Sequence, residues 1–168
     1  MREKVLALAG TALLAMVLGA PTAASARETV AFSGYSPGTV VVVTRQRRLY
    51  YVVGNGQAIR YPVGVGRAGK QWAGTTRIDG MYRNPAWSPP AEIKRDKPSL
   101  PNVIAGGSPR NPMGVAALTL AGGEYAIHGT NRPGSIGGFV SYGCIRMHNQ
   151  DVADLFARVS VGTPVVVQ

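Results

Sequence analysis

The sequence predicts a mostly β fold arranged as one domain. Short runs rich in β-branched and aromatic residues alternate with glycine-containing turns along most of the chain, which is the pattern of strands joined by tight connections. Helical spacing of apolar residues is evident in one segment near the C-terminus. With 168 residues, of which 45% are hydrophobic and 15% charged, the chain is long and apolar enough to bury one core.

Residues 1–26 are predicted to be a signal peptide. A basic start precedes an apolar run over residues 5–20, and Ala24-Ser25-Ala26 supplies the small side chains that a signal peptidase reads. The apolar run is short for a membrane span, which needs ~20 residues, so cleavage is favoured over retention as an anchor. The mature chain would then begin with a polar, glycine- and proline-containing lead-in over residues 27–38.

The formal net charge of +10 predicts an acidic partner. Nucleic acid, an anionic membrane surface and an acidic cell-wall polymer all meet that requirement. Export through a signal peptide argues against nucleic acid, because the mature protein would work outside the cytoplasm. The charge alone does not decide between a membrane surface and a wall polymer.

The first part of the mature chain predicts a β-meander. A β-branched run over residues 39–43 predicts one strand, and residues 49–53 predict the next. Gly54-Asn55-Gly56 is a strong hairpin signal, since Asn-Gly adopts the positive φ angles of tight turns. The chain then returns as a strand over residues 57–65, in which Pro62 marks an edge or a bulge.

The second part predicts further strands around a long loop. The loop covers residues 84–112, is rich in proline, and is interpreted as an ordered segment lining a cleft. Asn149 is predicted to cap an amphipathic helix over residues 150–159, and His128 is placed at the end of a strand. The predicted strands cover residues 75–78, 113–120, 125–127 and 164–167.

The single cysteine, Cys144, and both histidines lie within residues 127–149. Exported proteins usually hold cysteines in disulfide pairs, so a lone cysteine is a buried inert thiol, an intermolecular link or a nucleophile. One cysteine and two histidines, without Cys-x-x-Cys or His-x-x-x-His spacing, match no structural zinc site. We therefore expect neither a metal nor a cofactor, and we interpret His148 as a surface or hydrogen-bonded residue.

A cysteine nucleophile needs a base, a group that orients the base, and donors for the oxyanion. His128 is the candidate base, and a backbone carbonyl such as that of Gly129 could fix its tautomer. Gly143 permits a tight turn, which would point the amides of Tyr142, Gly143 and Cys144 at one spot. The segment therefore contains candidates for an acyl-transfer site, although the inert thiol stays open on these residues alone.

Arg146 lies two positions after the cysteine. In an extended segment the two side chains share a face, where Arg146 could bind a carboxylate bidentately. Another group of cations lies in the long loop and is expected to face solvent, with binding of an acidic group as the alternative. This group consists of Lys94, Arg95 and Lys97.

Three motifs resemble the signature of the L,D-transpeptidase catalytic domain family, also called the YkuD-type domain. They are His128-Gly129-Thr130-Asn131, Ser135-Ile136-Gly137 and Ser141-Tyr142-Gly143-Cys144-Ile145-Arg146-Met147. In that family a histidine precedes a Ser/Thr-x-Gly-Cys-x-Arg/Asn motif by a similar gap. The resemblance covers nearly all of residues 39–168 and includes features of the Gram-negative ErfK/YbiS-like subgroup.

The resemblance implies a β-sandwich or barrel with one or two short helices and a long cleft-lining loop. It implies that Cys144 is the nucleophile and that His128 acts as general base and acid. Gly129 would orient the ring through its carbonyl, and the backbone of Tyr142 and Gly143 would bind the oxyanion. The residues implied to bind substrate are Arg146, Ser141 and Asn131.

The substrate that the resemblance implies is a peptidoglycan stem peptide, met in the periplasm by a monomeric enzyme without a cofactor. Cys144 would attack the L,D bond before the terminal D-alanine and pass the acyl group from a thioester to a second stem peptide. Carbapenem-type β-lactams would acylate the same cysteine. Alternatives are hydrolysis, as an L,D-carboxypeptidase, and transfer to a free D-amino acid or to a lysine of an outer-membrane protein.

Two positions depart from the family pattern. Tyr142 stands where many members have a histidine that assists the oxyanion, and Ala73-Gly74-Thr75-Thr76 lacks the proline of a frequent Thr-Pro-x-Gly segment. Among other classes, a sortase places its arginine far after the cysteine, and NlpC-type wall peptidases place the cysteine before the histidine. The non-enzymatic alternative is a peptidoglycan-binding module, which would tolerate loss of Cys144.

Overall fold

The structure, a computed structural model, describes residues 27–168. The signal peptide predicted over residues 1–26 lies outside the described residues. Within residues 27–168, no helix is long and apolar enough to cross a membrane. The described chain forms β1 Glu28–Ala31, β2 Val40–Val43, β3 Arg48–Gly54, β4 Gln57–Pro62, β5 Val65–Gly66, β6 Gly74–Arg83, α1 Ala91–Asp96, β7 Ala116–Leu120, β8 Ala126–His128, β9 Phe139–Ser141, β10 Ile145–Arg146, α2 Asn149–Phe156 and β11 Pro164–Val167.

Nine of these strands form one sheet in the order β1-β4-β3-β2-β11-β6-β7-β8-β10, and β5 pairs with β9 in a two-stranded sheet. Within the large sheet, β11 runs parallel to β2 and β10 runs parallel to β8, whereas the other neighbours are antiparallel. The predicted mostly β fold with two short helices is confirmed. The segment that carries the cysteine lies at one edge of the large sheet, next to the strand that carries the histidine.

Alternating side chains of β3 are buried on opposite faces of the sheet. Leu49 faces the larger core, which α2 covers with Val152 and Leu155. Tyr50 and Val52 belong to a smaller cluster that lies on the opposite face, because successive side chains in a strand point in opposite directions. The sheet therefore needs cover on its second face as well.

That cover comes from the lead-in, for which the sequence predicted no regular element. It contains β1, which pairs with β4. Just after β1, the Phe32 ring stacks on Tyr50 with 4.2 Å between ring centroids, and Tyr35 stacks on Phe32 at 5.7 Å. The residues of β1 are mostly exposed, so no buried periodicity marks this strand in the sequence.

The strands predicted over residues 39–43, 49–53 and 164–167 match β2, β3 and β11. The third predicted strand stops at Pro62, before the expected residue 65. Beyond Pro62 the chain leaves β3 and pairs instead with the segment around the cysteine, since Gly64 forms an antiparallel bridge with Arg146. This change of partner ties the N-terminal strands to the candidate site.

Other boundaries also differ from prediction. The strands expected over residues 113–120 and 125–127 are Ala116–Leu120 and Ala126–His128, and the helix expected over residues 150–159 is Asn149–Phe156. The strand expected over residues 75–78 runs over Gly74–Arg83, because a register shift between Ile78 and Gly80 interrupts the side-chain alternation that marks a strand. The long loop over residues 84–112 lines the cleft as expected, but it contains α1. That helix has six residues, too few to give a helical pattern in the sequence.

The predicted role of Asn149 as a helix cap is wrong. Helix α2 begins at Asn149, and His148 occupies the cap position. The Asn149 side chain instead accepts a hydrogen bond from the backbone amide of Thr130 at 2.9 Å. It thereby links the start of α2 to the segment that follows His128.

We predict that Phe32→Ala lowers the free energy of unfolding by about 2 kcal/mol, because it removes a half-buried ring that stacks on Tyr50. Urea unfolding of the mature protein measures this change. Val161→Ala, at a position that is 60% exposed, is the control and should change stability by less than about 0.5 kcal/mol. Equal effects of the two substitutions would mean that the lead-in contributes nothing to the packed core.

Candidate active site

The parallel pairing of β8 and β10 brings the predicted base and nucleophile together. Arg146 lies opposite His128 in the register of the two strands, and Cys144 comes two residues before Arg146. Cys144 and His128 both line a cavity of about 240 Å³, and Trp87 and Ile93 of the long loop form part of its wall. The two strands therefore place a thiol and an imidazole at one cleft.

His128 is almost fully buried, with 4% of its surface exposed. Its Nδ1 lies 2.7 Å from the carbonyl oxygen of Gly129. Burial lowers the pKa of His128 to about 4, with a further contribution from the positive charge of Arg146, while the carbonyls of Gly129 and Pro112 act in the opposite direction. A neutral ring that contacts a carbonyl carries its proton on Nδ1, which leaves Nε2 as a proton acceptor.

The Cys144 thiol is half-buried. Desolvation raises its pKa, whereas a hydrogen bond from the Ala126 backbone and the charge of Arg146 lower it less strongly. Sγ faces the carbonyl oxygen of Glu124 at 4.0 Å. Among residues 27–168 no hydrogen bond joins this sulfur to the His128 ring. The resting site thus combines a neutral thiol with a neutral imidazole at pH 7.

Ser141 fixes the turn that precedes the cysteine. Its side chain is 2% exposed, and its hydroxyl donates to the Cys144 carbonyl at 2.6 Å and accepts the Gly143 amide at 3.1 Å. The Ser141 hydroxyl therefore bonds to the backbone of the turn, and the Gly143 amide, which was predicted to bind the oxyanion, already has an acceptor. In the described part of the chain, the amides of Tyr142 and Cys144 have no acceptor.

Gly143 is packed too closely to accept a side chain. Its φ is +127°, and a Cβ at this position would lie 2.2 Å from the Tyr125 ring. Tyr125 stacks on Trp72 with 5.2 Å between ring centroids, and the indole N–H of Trp72 donates to the Gly143 carbonyl at 3.0 Å. Sequence reasoning missed both aromatic residues, because no local spacing links Trp72 to the cysteine segment.

The Tyr142 side chain faces the long loop. Its hydroxyl donates to Asp96 at the end of α1 at 2.6 Å. Arg67 pairs with the same carboxylate oxygen at 3.2 Å and lies over the Tyr142 ring, 4.0 Å from its centroid. Hydrogen bonds from Tyr142 and Arg67 hold the pKa of Asp96 below its usual value. Many members of the family were expected to carry a histidine at position 142 that assists the oxyanion. In this chain the Tyr142 side chain instead holds the end of α1 beside the cavity.

The other predicted substrate contacts are divided between neighbouring cavities. Arg146 lines the Cys144 cavity and also a second cavity beside it. Asn131 lies outside the Cys144 cavity, and its amide donates to the Pro109 carbonyl at 3.2 Å. A larger groove of about 650 Å³ borders Asn131 but contains neither the cysteine nor the predicted base. Its size alone therefore does not make it the reaction site.

The side chains of the Cys144 cavity supply a thiol, an imidazole and a guanidinium. These groups suit nucleophilic attack, proton transfer and anion binding. Within residues 27–168 no group of three or more His, Cys, Asp or Glu side chains is arranged to hold a metal ion. The thiol, imidazole and guanidinium of this cavity are groups that can take part in acyl transfer.

A model of the L,D-transpeptidase catalytic domain family, YkuD, matches residues 37–167. The probable L,D-transpeptidase YbiS of Escherichia coli is 40% identical over 136 residues, which are 76% of this chain and 43% of that protein. This chain thus spans less than half the length of that relative.

Solved structures are similar over most of the chain. An L,D-transpeptidase from Mycobacterium smegmatis superimposes with a TM-score of 0.62 at 21% identity, over 77% of this chain and 58% of that one. Likeness at this identity shows the fold alone. A Brucella melitensis protein named a probable carnitine operon oxidoreductase is 39% identical, with a TM-score of 0.58 over 86% of this chain and 94% of that one. Its name describes a chemistry different from that of the other relatives.

We predict that buried, neutral His128 makes stability depend on pH. Its pKa of about 4 in the folded state lies below the ordinary value of 6.5. The resulting stabilisation is complete above pH 6.5 and is lost as the pH falls from 6.5 towards 4. The loss amounts to about 3 kcal/mol, and urea unfolding at pH 7 and pH 4 measures it.

His128→Gln is the informative variant, because glutamine keeps an N–H donor for the Gly129 carbonyl and does not titrate. Between the two pH values this variant should lose about 3 kcal/mol less than the wild type. His148→Gln changes the other histidine and is the matched control, which should retain the wild-type pH dependence. Parallel pH profiles for the wild type and His128→Gln would contradict the burial of a neutral ring.

Proposed function

The chain belongs to the L,D-transpeptidase catalytic domain family, and we propose that it is a cysteine-dependent enzyme that cross-links peptidoglycan stem peptides. The observation that carries this proposal is one cavity lined by Cys144, His128 and Arg146. Acyl transfer from a carboxylate-bearing peptide requires a nucleophile, a base and a group that binds the anion. We assign these three roles to Cys144, His128 and Arg146, respectively.

Acylation begins when Sγ of Cys144 attacks the carbonyl carbon of the L,D bond before the terminal D-alanine. The thiol proton passes to Nε2 of His128, while the Nδ1 proton stays bonded to the Gly129 carbonyl. Collapse of the tetrahedral intermediate breaks the C–N bond, and its electron pair goes to the nitrogen of D-alanine. That nitrogen then takes from Nε2 of His128 the proton that came from the thiol. The products are a thioester on Cys144 and free D-alanine.

Transfer follows when an amine of a second stem peptide attacks the thioester carbonyl. His128 takes a proton from the amine and returns it to the departing sulfur. The new amide bond is the cross-link, and the thiol and imidazole are neutral again. The same residue therefore serves as base and then as acid in both half-reactions.

The electrostatics favour proton transfer during attack over a thiolate–imidazolium pair formed beforehand. Burial lowers the pKa of His128 to about 4 and raises the pKa of the Cys144 thiol, so both groups are neutral at pH 7. The sulfur must turn towards the ring, and catalytic hydrogen bonds often tighten only in the substrate complex. We therefore assign activation of the thiol to the complex with substrate.

The oxyanion is assigned to the backbone amides of Tyr142 and Cys144. Neither amide has an acceptor within the described residues, whereas the Gly143 amide is bonded to Ser141. Amides that are held in place before the reaction need no reorganisation during it. Ser141 is accordingly a positioning residue, because its hydroxyl bonds to the backbone on both sides of the turn.

Residues 1–26 are proposed to be a cleaved signal peptide, and residues 39–168 the catalytic domain, which would act in the periplasm. The whole chain has 18 Lys and Arg against 8 Asp and Glu, and this excess favours association with an acidic wall polymer. The enzyme is proposed to work as a monomer without a metal or cofactor. A second stem peptide is the proposed acceptor, with a lysine of an outer-membrane protein or a free D-amino acid as alternatives.

Mass spectrometry after incubation with purified disaccharide-tetrapeptide tests the reaction. We expect a cross-linked dimer together with released D-alanine, and neither product from Cys144→Ala. Released D-alanine with disaccharide-tripeptide alone would identify an L,D-carboxypeptidase instead. The absence of any product, together with no carbapenem adduct on Cys144, would leave the peptidoglycan-binding module as the better interpretation.

The contribution of the base is measured in the same assay. His128→Gln should lower kcat/KM by about a hundredfold or more, because positioned general bases contribute that much to proton transfer. His148→Gln is the matched control and should keep wild-type activity, since His148 lies outside the Cys144 cavity. Equal activity of the two variants would remove His128 from the proposed mechanism.

A further inference from the structure

A second cavity adjoins the Cys144 cavity on the side of Arg146. Its volume is about 180 Å³, and Tyr142 and Arg146 are among the residues that line both cavities. Among residues 27–168, no Asp or Glu lines it. We call it the basic cavity, because four cationic side chains line it: Lys97, Arg110, Arg132 and Arg146.

The protein does not balance these charges. In the described part of the chain, none of the four cations takes part in an ion pair, and Nε of Arg146 is buried without a hydrogen-bond partner. Burial and the positive charge of Arg132 lower the pKa of the Arg146 guanidinium. Lys97, Arg110 and Arg132 are exposed, so water solvates their charges and they cost little stability. The buried, unpaired Nε of Arg146 is the costly group, and an anion bound in the cavity would offset that cost.

We propose that the basic cavity binds the terminal carboxylate of the residue that leaves during acylation, an inference that rests on the proposed function. Three covalent bonds separate the attacked carbonyl carbon from the carbon of that carboxylate, so the two atoms lie about 4 Å apart. When the carbonyl is at Sγ of Cys144, the carboxylate therefore falls in an adjoining space. Arg146 borders both spaces, which makes it the cation that meets the carboxylate first.

The remaining cations surround the carboxylate from the far side. Lys97 comes from the end of the loop helix, and Arg110 and Arg132 come from the segments on either side of β7 and β8. After the C–N bond breaks, the departing residue keeps its carboxylate paired while its nitrogen takes the proton from His128. Leaving-group recognition is thus separate from the turn that holds the oxyanion.

This arrangement would select donors in which one residue follows the attacked bond. A donor with a further residue would place a neutral peptide group in the basic cavity, where the cations would otherwise pair with a carboxylate. A donor with an amidated terminus would leave the buried Arg146 donor opposite a neutral group, which charge-assisted hydrogen bonding disfavours. The basic cavity is therefore a specificity site for a free terminal carboxylate.

Binding to the Cys144→Ala protein tests the inference without turnover. Isothermal titration calorimetry would compare disaccharide-tetrapeptide that has a free terminal carboxylate with the same compound ending in a carboxamide. We expect the acid to bind at least about tenfold more tightly than the amide. Adding Arg110→Gln and Arg132→Gln should reduce this ratio to about twofold by weakening the acid alone.

The control pair is Arg45→Gln with Arg77→Gln, which removes the same net charge from exposed positions outside both cavities. It should keep the preference for the acid. Equal affinities for acid and amide in the protein with an intact basic cavity would overturn the inference, as would the same loss of preference in the control pair. Thermal unfolding shows whether each variant is folded. If the double variant is not folded, the ratio of the affinities for acid and amide is measured on Lys97→Gln instead.

The two proposals fail in different ways. Cross-linking by a protein that binds acid and amide equally would keep the proposed function and remove the carboxylate site. Acid-selective binding without any cross-linking or release of D-alanine would keep the carboxylate site and remove the proposed reaction.

Discussion

The parallel pairing of β8 with β10 is the constraint on which the site depends. It sets Arg146 beside His128 and brings the segments that carry His128 and Cys144 to one cavity. Arg146 is held on its other side as well, because its backbone exchanges two hydrogen bonds of 2.8 Å with Gly64. Main-chain pairing therefore positions Cys144, and the surrounding side chains adjust the pKa of its thiol. Ser141 and Trp72 complete this frame by bonding to the backbone of the turn at Gly143.

Burial and one cation together set the protonation of the site. Desolvation disfavours both the imidazolium of His128 and the thiolate of Cys144, whereas Arg146 opposes the first and favours the second. Since Arg146 has no ion pair among the described residues, a bound carboxylate would change this balance. A carboxylate paired with Arg146 would shield its charge and raise the proton affinity of His128 when the thiol proton has to move. In the proposed mechanism, that one contact would both bind the substrate and activate His128.

The sequence predicted what local chemistry determines. Runs of β-branched residues located β2 and β11, and the motif around Cys144 located the histidine, the cysteine and the arginine of one cavity. It missed what depends on tertiary contacts. The hydrogen bonds from Trp72 to Gly143 and from Tyr142 to Asp96 join residues far apart in the chain. No spacing in the sequence predicts them. The occupied Gly143 amide was missed for a related reason: a serine two residues away can bind substrate or backbone, and only the folded turn decides which.

The proposed chemistry requires His128 at pH 7 to be a neutral ring protonated on Nδ1 inside the Cys144 cavity. Nitrogen-15 NMR of histidine-labelled protein tests it most directly, and His148→Gln leaves His128 as the single histidine signal, because the chain has two histidines. We expect a titration midpoint near pH 4, with a protonated Nδ1 and an unprotonated Nε2 at pH 7. An imidazolium signal at pH 7 that disappears in Cys144→Ala would contradict it, because that result would demonstrate a preformed thiolate–imidazolium pair.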